Sequence, residues 1–366
     1  MDTPDMNKST IKSENMTQPP LPPPEKNKQK RGKPLSFWMS IILGFLFILS
    51  MSVNIMLFIL LGATMMKASD TTMTNIGNEK YIQGEKNSKN KILLVPVNGI
   101  IIEQDVESVF YNKKSIVQEI KDTLSKAEED QNIKAIILSI NSPGGGISEC
   151  EIIYSEIIKF KKKKAIPIIV SMGQVAASGG YYISAPATEI FAQPSTITGS
   201  IGVIMELTNM EELFDKVGLK SVTIKSGKLK DIGSATRKMT KEEEEILNSI
   251  IQEMSGRFLD IVKDGRKLSK EHLQVISDAR IFTALQAKEI GLVDKIGYLG
   301  DAFDSAKKHA GLKDAKLIKY KKNLTFFDFL EETSKNLNIN PESEFQKKVE
   351  HIFPETPRLM YIWRTY

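Results

Sequence analysis

The sequence predicts an α/β protein built on a parallel sheet and preceded by one transmembrane helix. Three observations lead there. A charge-free apolar stretch near the N-terminus is long enough to cross a bilayer. Downstream, short runs rich in Ile, Leu and Val alternate with segments of helical periodicity. Glycine-rich turns stand where those strands pass into helices. Apolar strands joined through helices imply a parallel sheet covered on both faces.

The bulk composition narrows the possibilities further. The chain has 366 residues, 41% of them hydrophobic and 26% charged, the balance of a globular protein with a core. Its net charge of +5 is small for this length and lies largely in local lysine runs, so it does not point to nucleic acid. Cys150 is the one cysteine, which excludes an intrachain disulfide framework and a multi-cysteine zinc site. His272, His309 and His351 lie far apart, without metal-ligand spacing. No metal or cofactor is expected.

Residues 1–34 are polar and proline-rich (Pro19, Pro20, Pro22, Pro23, Pro24), a composition that predicts a disordered tail. Residues 35–66 carry no charge, with an apolar core at about 37–61. About 20 helical residues suffice to cross a bilayer, and this stretch exceeds that. A cleaved signal peptide is the competing reading. Its apolar part is normally about 7–15 residues, and no small-x-small cleavage site follows closely, so an uncleaved anchor is expected. Lys26, Lys28, Lys30, Arg31 and Lys33 precede the span and Lys67 alone follows it immediately. The positive-inside rule then places the tail in the cytoplasm and the remaining chain outside it, in a single-pass cell-membrane protein.

Residues 67–90 read as a polar linker. Lys91 to Val97 reads as a buried strand, Ser115 to Glu129 as an amphipathic helix, and Ala135 to Ile140 as a second strand. That strand ends at Asn141-Ser-Pro-Gly-Gly-Gly146, and a helix follows from about Ile147 to Phe160. Lys161 to Lys164 then suit the negative end of the helix dipole. Ile166 to Ser171 is a third strand, leading into Met172-Gly-Gln-Val-Ala-Ala-Ser-Gly-Gly180 and another helix. Active sites of open α/β sheets lie at the carboxyl ends of strands. Helix N-termini there present free N–H groups to developing negative charge, the equipment of an oxyanion hole.

Ser178 sits between small residues where the second of these helices begins. It is a candidate nucleophile, or a capping serine packed among alanines and glycines. The glycines at 144–146 can bind phosphate, shape a tight turn or supply oxyanion donors, but they lack the GK[ST] ending of a P-loop. The first 271 residues contain no histidine, which makes lysine the alternative base for a serine. Lys225-Ser-Gly-Lys-Leu-Lys-Asp231 offers three lysines after an expected strand, Ser221 to Ile224. An exposed basic loop explains the same segment equally well.

Taken together, Asn141-Ser-Pro-Gly-Gly145, Ala176-Ala-Ser-Gly-Gly-Tyr-Tyr182, Thr198-Gly-Ser-Ile-Gly202, Lys228-Leu-Lys-Asp231 and Gly291-Leu-Val-Asp294 resemble the signal peptide peptidases of the SppA type. These are serine peptidases of the ClpP/crotonase-like fold, and the similarity runs over residues 91–311, leaving 312–366 as a C-terminal extension. The resemblance implies that Ser178 is the nucleophile, Lys230 the general base and Ser200 the residue orienting its amine. It implies that Gly145 and Gly179 donate the backbone N–H groups of the oxyanion hole. It further implies peptide substrates, remnant signal peptides among them, and a ring-shaped homo-oligomer, an octamer, in which adjacent protomers share each site. Ala279, Arg280 and Ala284 stand where the family more often has glycines, and Gln174 where it has a small residue or serine.

A lysine with an ordinary pKa near 10.4 is neutral in only about one molecule in a few thousand at pH 7. Lys230 is therefore expected to be buried beside Ser200, with Asp231 turned to the opposite face of an extended segment. Two other functions compete. A crotonase-like acyl-thioester enzyme shares the paired N–H groups but needs no serine–lysine pair, and a silent membrane scaffold has no need to keep Ser178, Lys230 and Ser200. Apolar residues in Leu324 to Leu330 and Leu359 to Trp363 predict that the extension packs, either onto its own domain or onto a neighbour.

Overall fold

The computed structural model describes residues 35–69, 76–103, 106–108, 111–113, 115–322 and 359–363. Helix α1 (Leu35–Ser69) contains the apolar stretch. It is the one helix among the described residues long and apolar enough to cross a membrane. Its side chains from residue 35 to 60 are all exposed. Ser40, Ser52 and Asn54 donate to the carbonyls of Ser36, Ile48 and Ser50, so these polar donors are satisfied inside the helix.

The remaining elements follow in order. They are β1 (Ile76–Gly84), β2 (Lys91–Asn98), β3 (Val106–Ser108), β4 (Tyr111–Lys113), α2 (Ile116–Glu129), β5 (Ile133–Ser142), β6 (Gly144–Gly146), α3 (Ile147–Lys164), β7 (Ile168–Ala177) and α4 (Gly179–Ser184). Then come β8 (Glu189–Ala192), β9 (Ile197–Gly199), β10 (Ile204–Met205), α5 (Glu211–Lys216), α6 (Lys241–Arg266), α7 (Lys270–Ile276), β11 (Ile281–Thr283) and α8 (Ala284–Glu289). The last are β12 (Lys295–Ile296), α9 (Leu299–His309), β13 (Lys316–Lys322) and β14 (Leu359–Ile362).

A nine-stranded sheet has the main order β1-β13-β2-β5-β7-β8-β12, with β9 pairing to β7 and β11 to β9. Pairing is parallel from β13 through β12, and β1 joins its edge antiparallel. Alternate residues of the central strands face opposite ways, as the two-residue strand period demands. Leu93, Val95, Ile136, Leu138, Ile168 and Val170 pack under α2, α3, α4 and α6. Ile92, Leu94, Ile137 and Ile169 meet Ala302, Phe303 and Ala306 of α9. Each such side chain taken fully from water contributes roughly 1.5–3 kcal/mol. The mixed apolar runs read from the sequence are thus strands buried on both faces.

Local signals set the helix ends. The Ser115 hydroxyl accepts from the Gln118 N–H at 3.3 Å to cap α2. Thr240 and Glu243 form a reciprocal capping box at the start of α6. Helix α3 runs on through the lysines to Lys164, where Ala165 turns left-handed at φ 50°. Lys161 reaches the Pro186 carbonyl, Lys163 pairs with Glu128 and Lys164 donates to the Asp130 carbonyl at 3.3 Å, while Lys162 is exposed.

Three expectations need correction. The linker expected at 67–90 contains β1, whose mixed polar sequence suits an edge strand rather than a buried one. The extension expected from 312 begins with β13, which is inserted between β1 and β2 of the main sheet. Ser221 to Ile224 forms no strand, because none of the described residues has backbone in place to pair with it, and its side chains are exposed. The apolar cluster Leu324 to Leu330 and the tail 1–34 lie outside the described residues.

Candidate active site

Ser178 stands between the end of β7 and the start of α4 at φ 52° and ψ −118°, a backbone that residues with a β-carbon rarely adopt. Its N–H donates to the Gly199 carbonyl at 2.8 Å and its carbonyl accepts from Tyr182 at 2.9 Å, so both neighbours hold the strained turn in place. The hydroxyl makes no capping bond to α4. It is buried, and it has no hydrogen-bond partner among the described residues. The capping role weighed from the sequence is therefore not the one this serine plays. An unpaired buried hydroxyl costs about 1–3 kcal/mol, which a structural serine would have no reason to carry.

Two glycine segments converge beside it. The Gly144 N–H is taken by the Ser142 hydroxyl at 3.1 Å and the Gly146 N–H by the Ile101 carbonyl at 2.8 Å. Between them Gly145 is paired across β6 with Tyr361 of β14. A β-carbon on Gly179 would lie 2.4 Å from the Cys150 sulfur and 3.1 Å from the Gly145 nitrogen. Only glycine permits that approach, which brings the two backbones together. Cys150 itself is buried, and burial pushes its thiol pKa well up, so it is an inert packing group.

Strand β14 lies between β6 and β10, antiparallel to both. The register opposes Ile362 to Gly144, Tyr361 to Gly145 and Met360 to Gly146, and the Trp363 N–H bonds the Pro143 carbonyl at 2.8 Å. The chain's own end thus fills a groove between two short strands as an added strand, the mode in which extended peptides are bound. Of the two packing alternatives weighed for Leu359 to Trp363, the first holds: the segment packs onto its own domain. The Tyr361 carbonyl oxygen points into the glycine corner. A β-carbon on Gly144 would sit 1.9 Å from that oxygen and 2.6 Å from the Gly179 nitrogen.

The Tyr361 side chain is fully buried. It stacks on Tyr182 at 4.9 Å between ring centroids with 24° between planes, and meets Phe258 at 4.8 Å. Its hydroxyl donates to the Met254 carbonyl at 3.1 Å. Tyr154 packs edge-on against Tyr182, whose hydroxyl bonds Glu151, and Arg257 holds Glu151 at 2.9 Å. Burial raises the pKa of both Tyr182 and Tyr361, so both phenols stay protonated donors. This aromatic pocket escaped sequence reasoning. Tyr182 lay within a recognised motif and Tyr361 within an unexplained apolar stretch, but nothing local joins them to Met254 and Phe258 on α6.

The other expected site residues divide. Ser200 follows Gly199, the residue bonded to Ser178, and also has a left-handed backbone at φ 50° with its N–H on the Arg280 carbonyl. Ser178, Ser200, Gly145 and Gly179 are therefore brought into one neighbourhood. Lys230 is not buried there, contrary to expectation. It is exposed in a turn over residues 228–233. The physical reason is that its segment has no strand partner and no covering element among the described residues. Asp231 does turn elsewhere, pairing with Lys225 and Arg237, which hold its carboxyl well below the usual range. Lys225 is occupied by that pair and Lys228 by Glu242. Of the three lysines weighed as bases, Lys230 alone keeps an ammonium without an ion-pair or hydrogen-bond partner among the described residues.

The residues 160–313 match the sequence profile of Peptidase family S49, and residues 89–198 match that of Clp protease. A protein of Enterococcus faecium named as a signal peptide peptidase SppA is 40% identical over 269 residues, covering 71% of this chain and 78% of that protein. The chain belongs to peptidase family S49. A protease of Synechocystis is 36% identical over 63% of this chain and 78% of its own length. Protease 4 of Salmonella typhi is 34% identical over 65% of this chain and 38% of its own length. The family is one of serine peptidases of the SppA type, and the mostly parallel sheet with its covering helices is the ClpP-like fold. Within this S49 chain, Ala279 occupies a left-handed position at φ 61°, a backbone that favours glycine.

Proposed function

We propose that this chain is a membrane-anchored serine endopeptidase that cleaves remnant signal peptides and similar hydrophobic peptides through Ser178 and Lys230. One observation carries the reading. The buried Ser178 hydroxyl lacks a partner among the described residues, beside a groove in which an extended strand pairs with Gly145 and brings its Tyr361 carbonyl into the corner formed by Gly144 and Gly179. In the proposed reaction Lys230, neutral, takes the Ser178 proton as Oγ bonds to the substrate carbonyl carbon. The Gly145 and Gly179 N–H groups hold the oxyanion, and Ser200 orients the lysine amine. The C–N bond then breaks as Lys230 protonates the leaving amine. Water, deprotonated by Lys230, hydrolyses the acyl-enzyme and restores Ser178.

The chain presents Ser178 buried and Lys230 exposed, so the base is proposed to come from an adjacent protomer of a homo-oligomeric ring, an octamer in the family's pattern. Leu219, Val222 and Ile224, in the segment that precedes Lys230, expose apolar surface, Ile224 to 97%. A second copy covering that surface would also desolvate Lys230, which disfavours its charged form. Helix α1 and the basic residues before it support an anchor with the peptidase domain outside the cytoplasm.

The test uses full-length protein in detergent and a fluorogenic hydrophobic peptide. Ser178→Ala and Lys230→Met should each lower cleavage by about 10³-fold or more. Co-expressed in equal amounts, they should recover on the order of a quarter of wild-type activity, because random assembly pairs intact Ser178 with intact Lys230 at that fraction of sites. Activity in either variant alone would refute the dyad, and inactive mixtures would refute the shared site.

A further inference from the structure

We infer that Asn141 is a positioning residue for Ser178: its side-chain oxygen closes a bulge in β7, and that bulge sets the register that brings the serine level with the Gly144 turn. This deepens the peptidase reading and rests on it. Strands β5 and β7 run in one register from Ile136 opposite Ile168 to Ile140 opposite Met172, and resume with Ser142 opposite Ala176. One residue of β5, Asn141, therefore faces three of β7, Gly173 to Val175. The first register, continued, would bring Ala176 level with Gly144. The second brings Ser178 there, in keeping with Gly179, where a β-carbon would lie 3.1 Å from the Gly144 Cα.

The opposite edge of β7 breaks over the same stretch. It leaves β8 after Met172, paired with Ala192, and meets β9 at Val175, paired with Ile197. Gly173 and Gln174 thus lie off both ladders, where main-chain groups need other partners. Side chains supply partners around this gap. The Val175 N–H donates to Asn141 Oδ1 at 3.1 Å, and the Thr196 hydroxyl donates to the Gly173 carbonyl at 2.6 Å. The Thr198 hydroxyl donates to the Ala176 carbonyl at 2.6 Å. A β-carbon on Gly173 would come within 3.1 Å of the Asn141 Cβ and 3.3 Å of its Oδ1, so the amide packs directly over that glycine. Ser178 follows three residues after Val175, in a left-handed turn that persists only while its flanks are fixed. Both threonines are buried, whereas Asn141 is exposed, so Asn141 is the member of the set that can be changed without opening the core.

The experiment uses full-length protein in detergent, a fluorogenic hydrophobic peptide and hydrogen exchange at Val175. Asn141→Ala should lower kcat by about tenfold with KM within about twofold of wild type, because a displaced nucleophile slows chemistry more than binding. The Val175 amide should exchange about three- to tenfold faster, the range of one neutral hydrogen bond. Asn141→Asp keeps an acceptor at the same reach and should restore both to within about threefold of wild type. Ser88→Ala, which removes a hydrogen bond to Asp314 in the turn between β1 and β2, should lower the unfolding midpoint and keep kcat. Wild-type kcat in Asn141→Ala, or an aspartate variant as slow as the alanine one, would overturn the inference. An equal loss of kcat in Ser88→Ala would overturn it too, since stability alone would then govern turnover. Should Asn141→Ala not fold, Asn141→Leu, of similar size and without an acceptor, is held to the same expectations. Should the wild-type protein cleave no peptide, the peptidase reading fails instead. Exchange at Val175 then decides Asn141 by itself: faster in the alanine variant and restored by aspartate supports it, and unchanged rates remove it.

Discussion

Ser178 carries two local costs at once, a left-handed backbone and a buried hydroxyl without a partner among the described residues. Such costs persist where surrounding structure imposes them, and here Gly199 and Tyr182 do so through main-chain bonds. The two can be separated. Ser178→Ala and Ser178→Gly both delete the hydroxyl, and only glycine relieves the backbone. The glycine variant should unfold at higher denaturant than the alanine variant, by about 1 kcal/mol, with both inactive. Equal midpoints would show that the turn stores no strain.

At the scale of elements, the segment from β10 to α6 behaves differently from the sheet. Its fixed point is a charged knot in which Arg237 bridges Asp231 and Glu243. Arg237 and the Thr240 N–H bring the Glu243 carboxyl down to about 2, and Arg237 and Lys225 hold Asp231 low as well. Both folded pKa values lie below the unfolded ones of roughly 4, so the stabilisation is present above that pH and is lost as pH falls toward the folded values. Between about pH 4 and pH 2, residues 231–243 should lose hydrogen-exchange protection before β2, β5 and β7 do. Protection unchanged down to pH 2 would remove the knot from the account. Strand β14 belongs to the same scale, since its place is set by backbone pairing to β6 and β10 rather than by any local propensity.

For the whole molecule, the proposed shared site gives one account of two features, the exposed apolar side chains of Val222 and Ile224 and a Ser178 hydroxyl without a partner among the described residues. On the proposed reading, a second copy that buries Val222 and Ile224 would bring a lysine to a serine and cover surface a monomer would leave open. Full-length protein in detergent should therefore have a protein mass several times the 41.0 kDa of one chain. The double variant Val222→Asp, Ile224→Asp should return it toward the protomer and abolish cleavage together, as measured by light scattering and peptide turnover. A variant that stays assembled and active would place the interface elsewhere.

The sequence by itself determined what depends on neighbours in the chain. The apolar span, the strands of the parallel sheet, the caps of α2 and the glycine turns around Ser178 all follow from local periodicity and turn chemistry. The motif order singled out Ser178, Ser200, Gly145 and Gly179, which lie in one neighbourhood of the fold. Tertiary structure alone decided what depends on distant backbone. It placed β13 inside the sheet, laid β14 into the groove, and joined Tyr361 to Tyr182, Phe258 and Met254. It also left Lys230 in the open, because burial is a property of what packs over a residue and not of the residues beside it.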